Sequence, residues 1–176
     1  DVEYPIMLDE CKRRMELAAR LKSPWIVATP PRLECGLSQL ARRYRDLLEI
    51  GRPAGVKPTF EYIGFFKSAW KLEHAWQVVQ EANDPDATLI LDAFHTWNSQ
   101  SSLDLLRRLP VERISHYHIN DAHPAKPPLT QTDPDRVMLG DGQIDLKAEV
   151  QILKDKGYHG TVSLELFNKE LWAKDP

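Results

Sequence analysis

The 176-residue chain has only two cysteines and eight glycines. It also lacks any apolar run near the ~20 residues needed to cross a bilayer. Cys11 and Cys35 show neither zinc-site spacing nor a disulfide framework, so they read as reduced thiols of a cytosolic protein. No Gly-rich turn follows the first apolar stretch, "WIVATPPRLECG", which argues against a dinucleotide fingerprint, and there is no P-loop. Positive charge is not in surplus: 23 Lys and Arg face 26 Asp and Glu, for a net charge of −3. That balance speaks against a nucleic-acid or membrane partner. The basic runs Lys12-Arg13-Arg14 and Arg42-Arg43 have acidic neighbours in helix-like stretches and read as solvated faces. The opening "DVEYPIMLDE" has neither the basic start nor the apolar core of a signal peptide, so the expected location is the cytoplasm.

What the chain does have is alternation. Apolar strand-like runs at 24–30, 59–65, 88–94, 113–120 and 160–167 are separated by helical patterns near 38–50, 68–82, 101–108 and 145–156. A further helix is expected at 7–21, and a Pro-rich loop at 121–142. Strands and helices in this rhythm predict βα units on a parallel sheet, in one domain over residues 1–176. The sheet could be doubly wound or part of a barrel, and ligands gather at the C-terminal ends of the strands in both. A closed (β/α)8 barrel typically takes ~250 residues. A barrel made from this chain alone is therefore incomplete.

Each strand after the first carries a metal-capable side chain near its end: Glu61, Asp92, His118 and Glu165. Burying such groups is costly unless they are paired or bound to metal. Singly, each reads more readily as a satisfied turn or core residue. As a recurring set on successive parallel strands, they would meet at one rim. Three carboxylates and one imidazole suit Mn²⁺, Mg²⁺, Co²⁺ or Zn²⁺ better than soft ions.

The segments "FEYIGF", "LDAFHTW", "YHINDA", "DRVMLGDGQIDL" and "SLELFNKELWAKDP" resemble the xylose-isomerase-like TIM-barrel superfamily of sugar isomerases and epimerases, and within it the inosose (2-keto-myo-inositol) isomerase branch. The resemblance runs over residues 5–176. It implies an incomplete (β/α)8 barrel of about five parallel βα units whose N-terminal strands are missing from this sequence. It also implies a single divalent ion, Mn²⁺ foremost, on Glu61, Asp92, His118 and Glu165, with His95 and Arg136 as substrate-binding residues. His116 would line the barrel, and Asp121 would orient the ligands. Family members usually carry Pro-Gly where this chain has Leu139-Gly140, which should alter the loop slightly and leave the ion site intact. Apurinic endonucleases of the same superfamily place a His ligand after the Asp-Arg of the long loop. Here Val137 follows Asp135-Arg136, and a nuclease reading loses its support.

The resemblance implies an isomerase or epimerase of a small keto-inositol or keto-sugar. Glu61 and Glu165 would remove and return the proton beside the carbonyl, through a metal-stabilised enediolate. The same first step could end in dehydration or β-elimination, and a non-catalytic sugar-binding member is a further alternative. Trp25, Trp97 and the 121–142 loop are expected to shape the substrate space. The open edges of a partial barrel favour a homo-oligomer.

Overall fold

The computed structural model describes residues 3–167 and 169–173. Helix α1 (Tyr4–Arg20) leads into strand β1 (Trp25–Ala28), and α2 (Leu37–Gly51) into β2 (Lys57–Glu61). Helix α3 (Leu72–Ala82) precedes β3 (Leu89–Asp92), which runs directly into α4 (Ala93–Asn98). After α5 (Leu103–Arg108) come β4 (Ile114–Ile119) and the short β5 (Asp121–Ala122). The chain continues through β6 (Arg136–Val137), α6 (Leu146–Asp155), β7 (Thr161–Leu164) and α7 (Lys169–Trp172). Asn168 and residues 174–176 of the family-like C-terminal motif lie outside the described residues.

The main sheet is wholly parallel in the order β1-β2-β3-β4-β7, so each strand pairs with the next one of the sheet in chain order. A doubly wound sheet reverses its strand order at a switch point, and here nothing reverses. The architecture is a half-barrel with helices on its outer face. Strands β2 and β3 lie inside the sheet and are almost wholly buried, whereas β1 and β7 form its edges and expose Val27, Val162 and Leu164. Leu40, Tyr44 and Leu48 of α2 and Leu72, Ala75, Val78 and Val79 of α3 supply the outer core against Phe60, Leu89 and Leu91 of the sheet. The Tyr44 hydroxyl ties two strands together. It accepts from Thr88 N and lies 3.0 Å from the carbonyls of both Pro58 and Thr88.

Three of the expected segments differ in kind, each for a local reason. The run 88–94 is not all strand: Asp92 caps a helix by accepting the His95 backbone N–H at 2.8 Å, so Ala93 and Phe94 are helical. The run 59–65 ends as strand at Glu61, after which Tyr62 leaves the sheet to meet the Thr96 hydroxyl of α4. The 121–142 loop is not structureless. Asp121–Ala122 pairs antiparallel with Arg136–Val137, and Asn98 of α4 holds the loop through Leu129 N and Gln131 O.

Behind the sheet, Glu149 of α6 is 3% exposed and accepts a 2.9 Å hydrogen bond from the Tyr117 hydroxyl. Burial pushes its carboxyl up from 4.5 to about 8, partly opposed by the Tyr117 bond. An acid whose folded value lies above its unfolded one favours folding most below the lower value and loses that advantage as pH rises through the higher. Stability should therefore fall between about pH 4.5 and 8 on account of Glu149. In Glu149→Gln that part of the pH dependence should vanish, as read from urea midpoints at pH 5 and pH 8.

Candidate metal centre

Glu61 is the last residue of β2, Asp92 the last of β3, His118 the fifth of β4 and Glu165 the first after β7. Parallel register does the alignment: Asp92 pairs with His118, and Ile119 with Leu164. Side chains two apart share a face, so His116 also points inward. It packs edge-on against Trp25 with ring centroids 5.7 Å apart, and it lines the barrel without joining the cluster. One ligand atom from each of Glu61, Asp92, His118 and Glu165 lies within 4.8 Å of all the others. Two ligands of one ion at ~2.1 Å lie at most about 4.2 Å apart. Closing the set around an ion needs shifts of only a few tenths of an ångström, so the donors fit a divalent cation in chemistry and in spacing.

His118 stands at the centre. Its Nδ1 is 3.0 Å from Glu61 Oε1, 3.3 Å from Glu165 Oε2 and 4.0 Å from Asp92 Oδ2. Burial opposes a charge on the ring, but the hydrogen bonds to Glu165 and Glu61 outweigh it and raise its pKa to about 10. A proton on His118 thus does the neutralising that a cation would do. Burial, with the like charges of Asp92 and Glu165 nearby, pushes Glu61 up to about 7 against the lowering pull of His118. Asp92 goes the other way. It is fully buried, yet Arg136, His95 and the His95 backbone N–H hold it down at about 2.

Arg136 is the second node and is 1% exposed. Its Nη1 donates to Asp92 Oδ2 at 3.0 Å and Glu165 Oε2 at 2.6 Å, and its Nη2 donates to Asp133 Oδ1 at 3.0 Å. Phe94 and Phe167 stack on the guanidinium, 5.0 and 5.2 Å from ring centroid to carbon. His95 Nε2 lies 3.0 Å from the same Nη2, and His95 Nδ1 faces the Gly64 N–H at 3.3 Å. A neutral imidazole accepts at only one nitrogen, so the ring cannot serve both donors. Burial lowers His95 to about 4, and the ring is neutral at pH 7.

Two roles emerge that the sequence did not disclose. Asn120, fully buried, donates to Asp92 Oδ2 at 3.1 Å and accepts from Phe94 N at 2.8 Å. Its one sequence signal is an Asn directly after an apolar strand. Asp121, expected to orient ligand side chains, turns the other way. Its Oδ1 accepts from Ala122 N and Ile144 N at 2.9 Å, and its Oδ2 from Gly140 N and Gly142 N at 3.1 Å. It therefore folds the long loop that delivers Arg136. A Cβ on Gly142 would stand 2.2 Å from Asp121 Oδ1, so only glycine fits there. The expected substrate-shaping tryptophans are also elsewhere. Trp25 opens β1 at the opposite end of the strand, and Trp97 lines a cavity with Leu103, Pro128 and Glu149.

The xylose isomerase-like TIM barrel family model matches residues 7–176. The chain is 34% identical to an inosose isomerase of Halalkalibacterium halodurans over 176 residues, covering 96% of this chain and 62% of that relative. It is 26% identical to a 3-dehydroshikimate dehydratase of Pseudomonas putida, covering 92% of this chain and 26% of that relative. Among solved structures, the IOLI protein with a binding zinc atom superposes with a TM-score of 0.90 at 29% identity, covering 98% of this chain and 64% of that one. The chain thus spans about three fifths of the length of the inosose isomerase it matches.

Asp121→Ala should free four backbone amides. Hydrogen exchange measured by mass spectrometry should speed up at 140–144 and around Arg136, while the β2–β3 core keeps its protection.

Proposed function

The chain belongs to the xylose isomerase-like TIM barrel family, and on that premise we propose that the protein is a divalent-metal-dependent isomerase or epimerase of a keto-inositol or keto-sugar. The observation that carries this reading is the convergence of Glu61, Asp92, His118 and Glu165 at the ends of four neighbouring parallel strands. These four would hold the ion, with Mn²⁺ first and Mg²⁺, Co²⁺ or Zn²⁺ as alternatives. A bound divalent ion would supply Lewis acidity, polarising a substrate carbonyl and making the adjacent C–H more acidic.

The chain's own groups then handle the proton. Glu61 and Glu165 each hold a carboxylate oxygen against the same atom, His118 Nδ1, at 3.0 and 3.3 Å. One removes the proton beside the carbonyl and the other returns it to the neighbouring carbon. Asn120 and Arg136 fix Asp92, so the two glutamates act against a rigid partner. His95 and Arg136 serve as the substrate-side residues. Both are closed to solvent, so the guanidinium reaches a substrate oxygen by giving up one of its present partners. Phe94 is fully buried against Arg136, whereas Phe167 on the same guanidinium is 38% exposed.

A second reading keeps the site and changes the outcome. The 3-dehydroshikimate dehydratase relative favours loss of a leaving group after the same proton abstraction.

The deciding experiment incubates the full-length protein with Mn²⁺ and 2-keto-myo-inositol in D2O and follows proton NMR. Deuterium beside the carbonyl with a rearranged ketone supports the isomerase; loss of water supports the dehydratase. No exchange with metal bound removes this substrate. Glu165→Gln should lower turnover by at least ~100-fold. Asp92→Ala should lose both metal and activity.

Ion binding should also release protons, because His118 must be neutral to ligate. With His118 raised to about 10 in the ion-free site, affinity should climb as pH rises from 6 to 9. Calorimetry in two buffers of different ionisation enthalpy should count between one and two protons per ion at pH 7, one from His118 and a fraction from Glu61.

A further inference from the structure

We infer that Asp133 is a specificity-determining residue that binds a hydroxyl group of a polyol substrate through its Oδ2 oxygen; the inference rests on the sugar-type reading above and deepens it. Among the described residues four polar side chains meet the guanidinium of Arg136, and three of them, Asp92, Glu165 and His95, belong to the site already described. The fourth is Asp133, which comes from the long loop. Its Oδ1 is fixed by Arg136 Nη2 at 3.0 Å, while Oδ2 accepts no hydrogen bond among the described residues. Its side chain is 37% exposed, against 0–1% for Asp92 and Arg136. It is the most open acceptor on that guanidinium.

Charge balance sharpens the point. A divalent ion and Arg136 carry three positive charges, and Glu61, Asp92 and Glu165 already match them. Asp133 is a fourth carboxylate, surplus to neutrality, set close enough to Glu165 and Asp92 to be repelled by both. A carboxylate oxygen accepts and cannot donate, so the matching ligand group is a donor, and on a polyol that donor is a hydroxyl. Asp133 also begins the 3-10 turn Asp133–Asp135, whose base is closed by Asp135 Oδ2 accepting from Thr132 N at 2.9 Å. The loop that holds Asp133 is therefore preorganised.

The test measures binding, not turnover. With Mn²⁺ present, calorimetry gives the affinity of the full-length protein for myo-inositol and for a set of its monodeoxy analogues. The wild type, Asp133→Asn and Asp133→Ala are compared, and Mn²⁺ affinity is read separately by electron paramagnetic resonance. Losing a hydrogen bond to a charged group should weaken myo-inositol binding roughly 10- to 100-fold in Asp133→Ala. Asp133→Asn keeps an oxygen acceptor and should lose less. Mn²⁺ affinity should hold within about twofold of wild type. One monodeoxy analogue should bind wild type and Asp133→Ala equally, which identifies the hydroxyl. Equal myo-inositol affinity in all three proteins would overturn the assignment, and so would absence of polyol binding. A loss shared by every analogue and accompanied by weaker Mn²⁺ binding would also overturn it, showing that Asp133 acts only through Arg136. Polyol binding that depends on Asp133 without C–H exchange in D2O would leave this assignment standing while the isomerase reading fell.

Discussion

A carboxylate with no access to water is the constraint around which this half-barrel is arranged. Asp92 ends a fully buried strand, and its charge must be matched inside the protein. Three donors do so directly, the His95 backbone N–H, the Asn120 amide and Arg136, while the His118 ring adds charge 4.0 Å away. Each of the three donors comes from a different part of the chain. The N–H belongs to the helix that Asp92 itself starts, the amide to the end of β4 and the guanidinium to the long loop. Satisfying one buried charge therefore fixes the relative positions of β3, α4, β4 and the 121–142 loop.

The neighbouring charges are not independent of that one. Asp92 is held ionised by Arg136, whereas Glu61 faces the same crowd of carboxylates with less help and is pushed up towards neutrality. The proton retained on His118 is the other half of this arrangement. Three acids and an imidazole placed this close are poorly satisfied by protein groups alone and well satisfied by a divalent cation. The same crowding that makes the site costly to fold is what a bound divalent cation would relieve.

Arg136 and Asp121 divide the work of the long loop. Asp121 gathers backbone amides and gives the loop its shape, and Arg136 carries that shape into the site between Phe94 and Phe167. Phe167 lies just beyond β7, so the guanidinium is gripped by the segments that follow β3 and β7. A loop rich in proline is thereby held by side-chain and backbone hydrogen bonds where a long strand ladder is absent.

Periodicity and residue type in the chain settled the βα rhythm, the parallel sheet and the four strand-end candidates, because apolar runs and intrusive polar residues are local facts. Helix α2 shows how far this goes: its expected span of 38–50 and observed Leu37–Gly51 nearly coincide. The strand ends were less legible. "LILDAF" reads as one apolar run, and only the cap that Asp92 makes to His95 N turns its last two residues into helix. Nor could spacing choose between a doubly wound sheet and a barrel, since strand order is a matter of long-range pairing. Tertiary structure alone decided that Asp121 folds the loop, that Asn120 serves Asp92 and that Arg136 is buried against Asp92, Glu165, His95 and Asp133. Those roles depend on which way a side chain points from loop or strand-end backbone, and on groups 19 to 45 residues away in sequence. No local pattern encodes either.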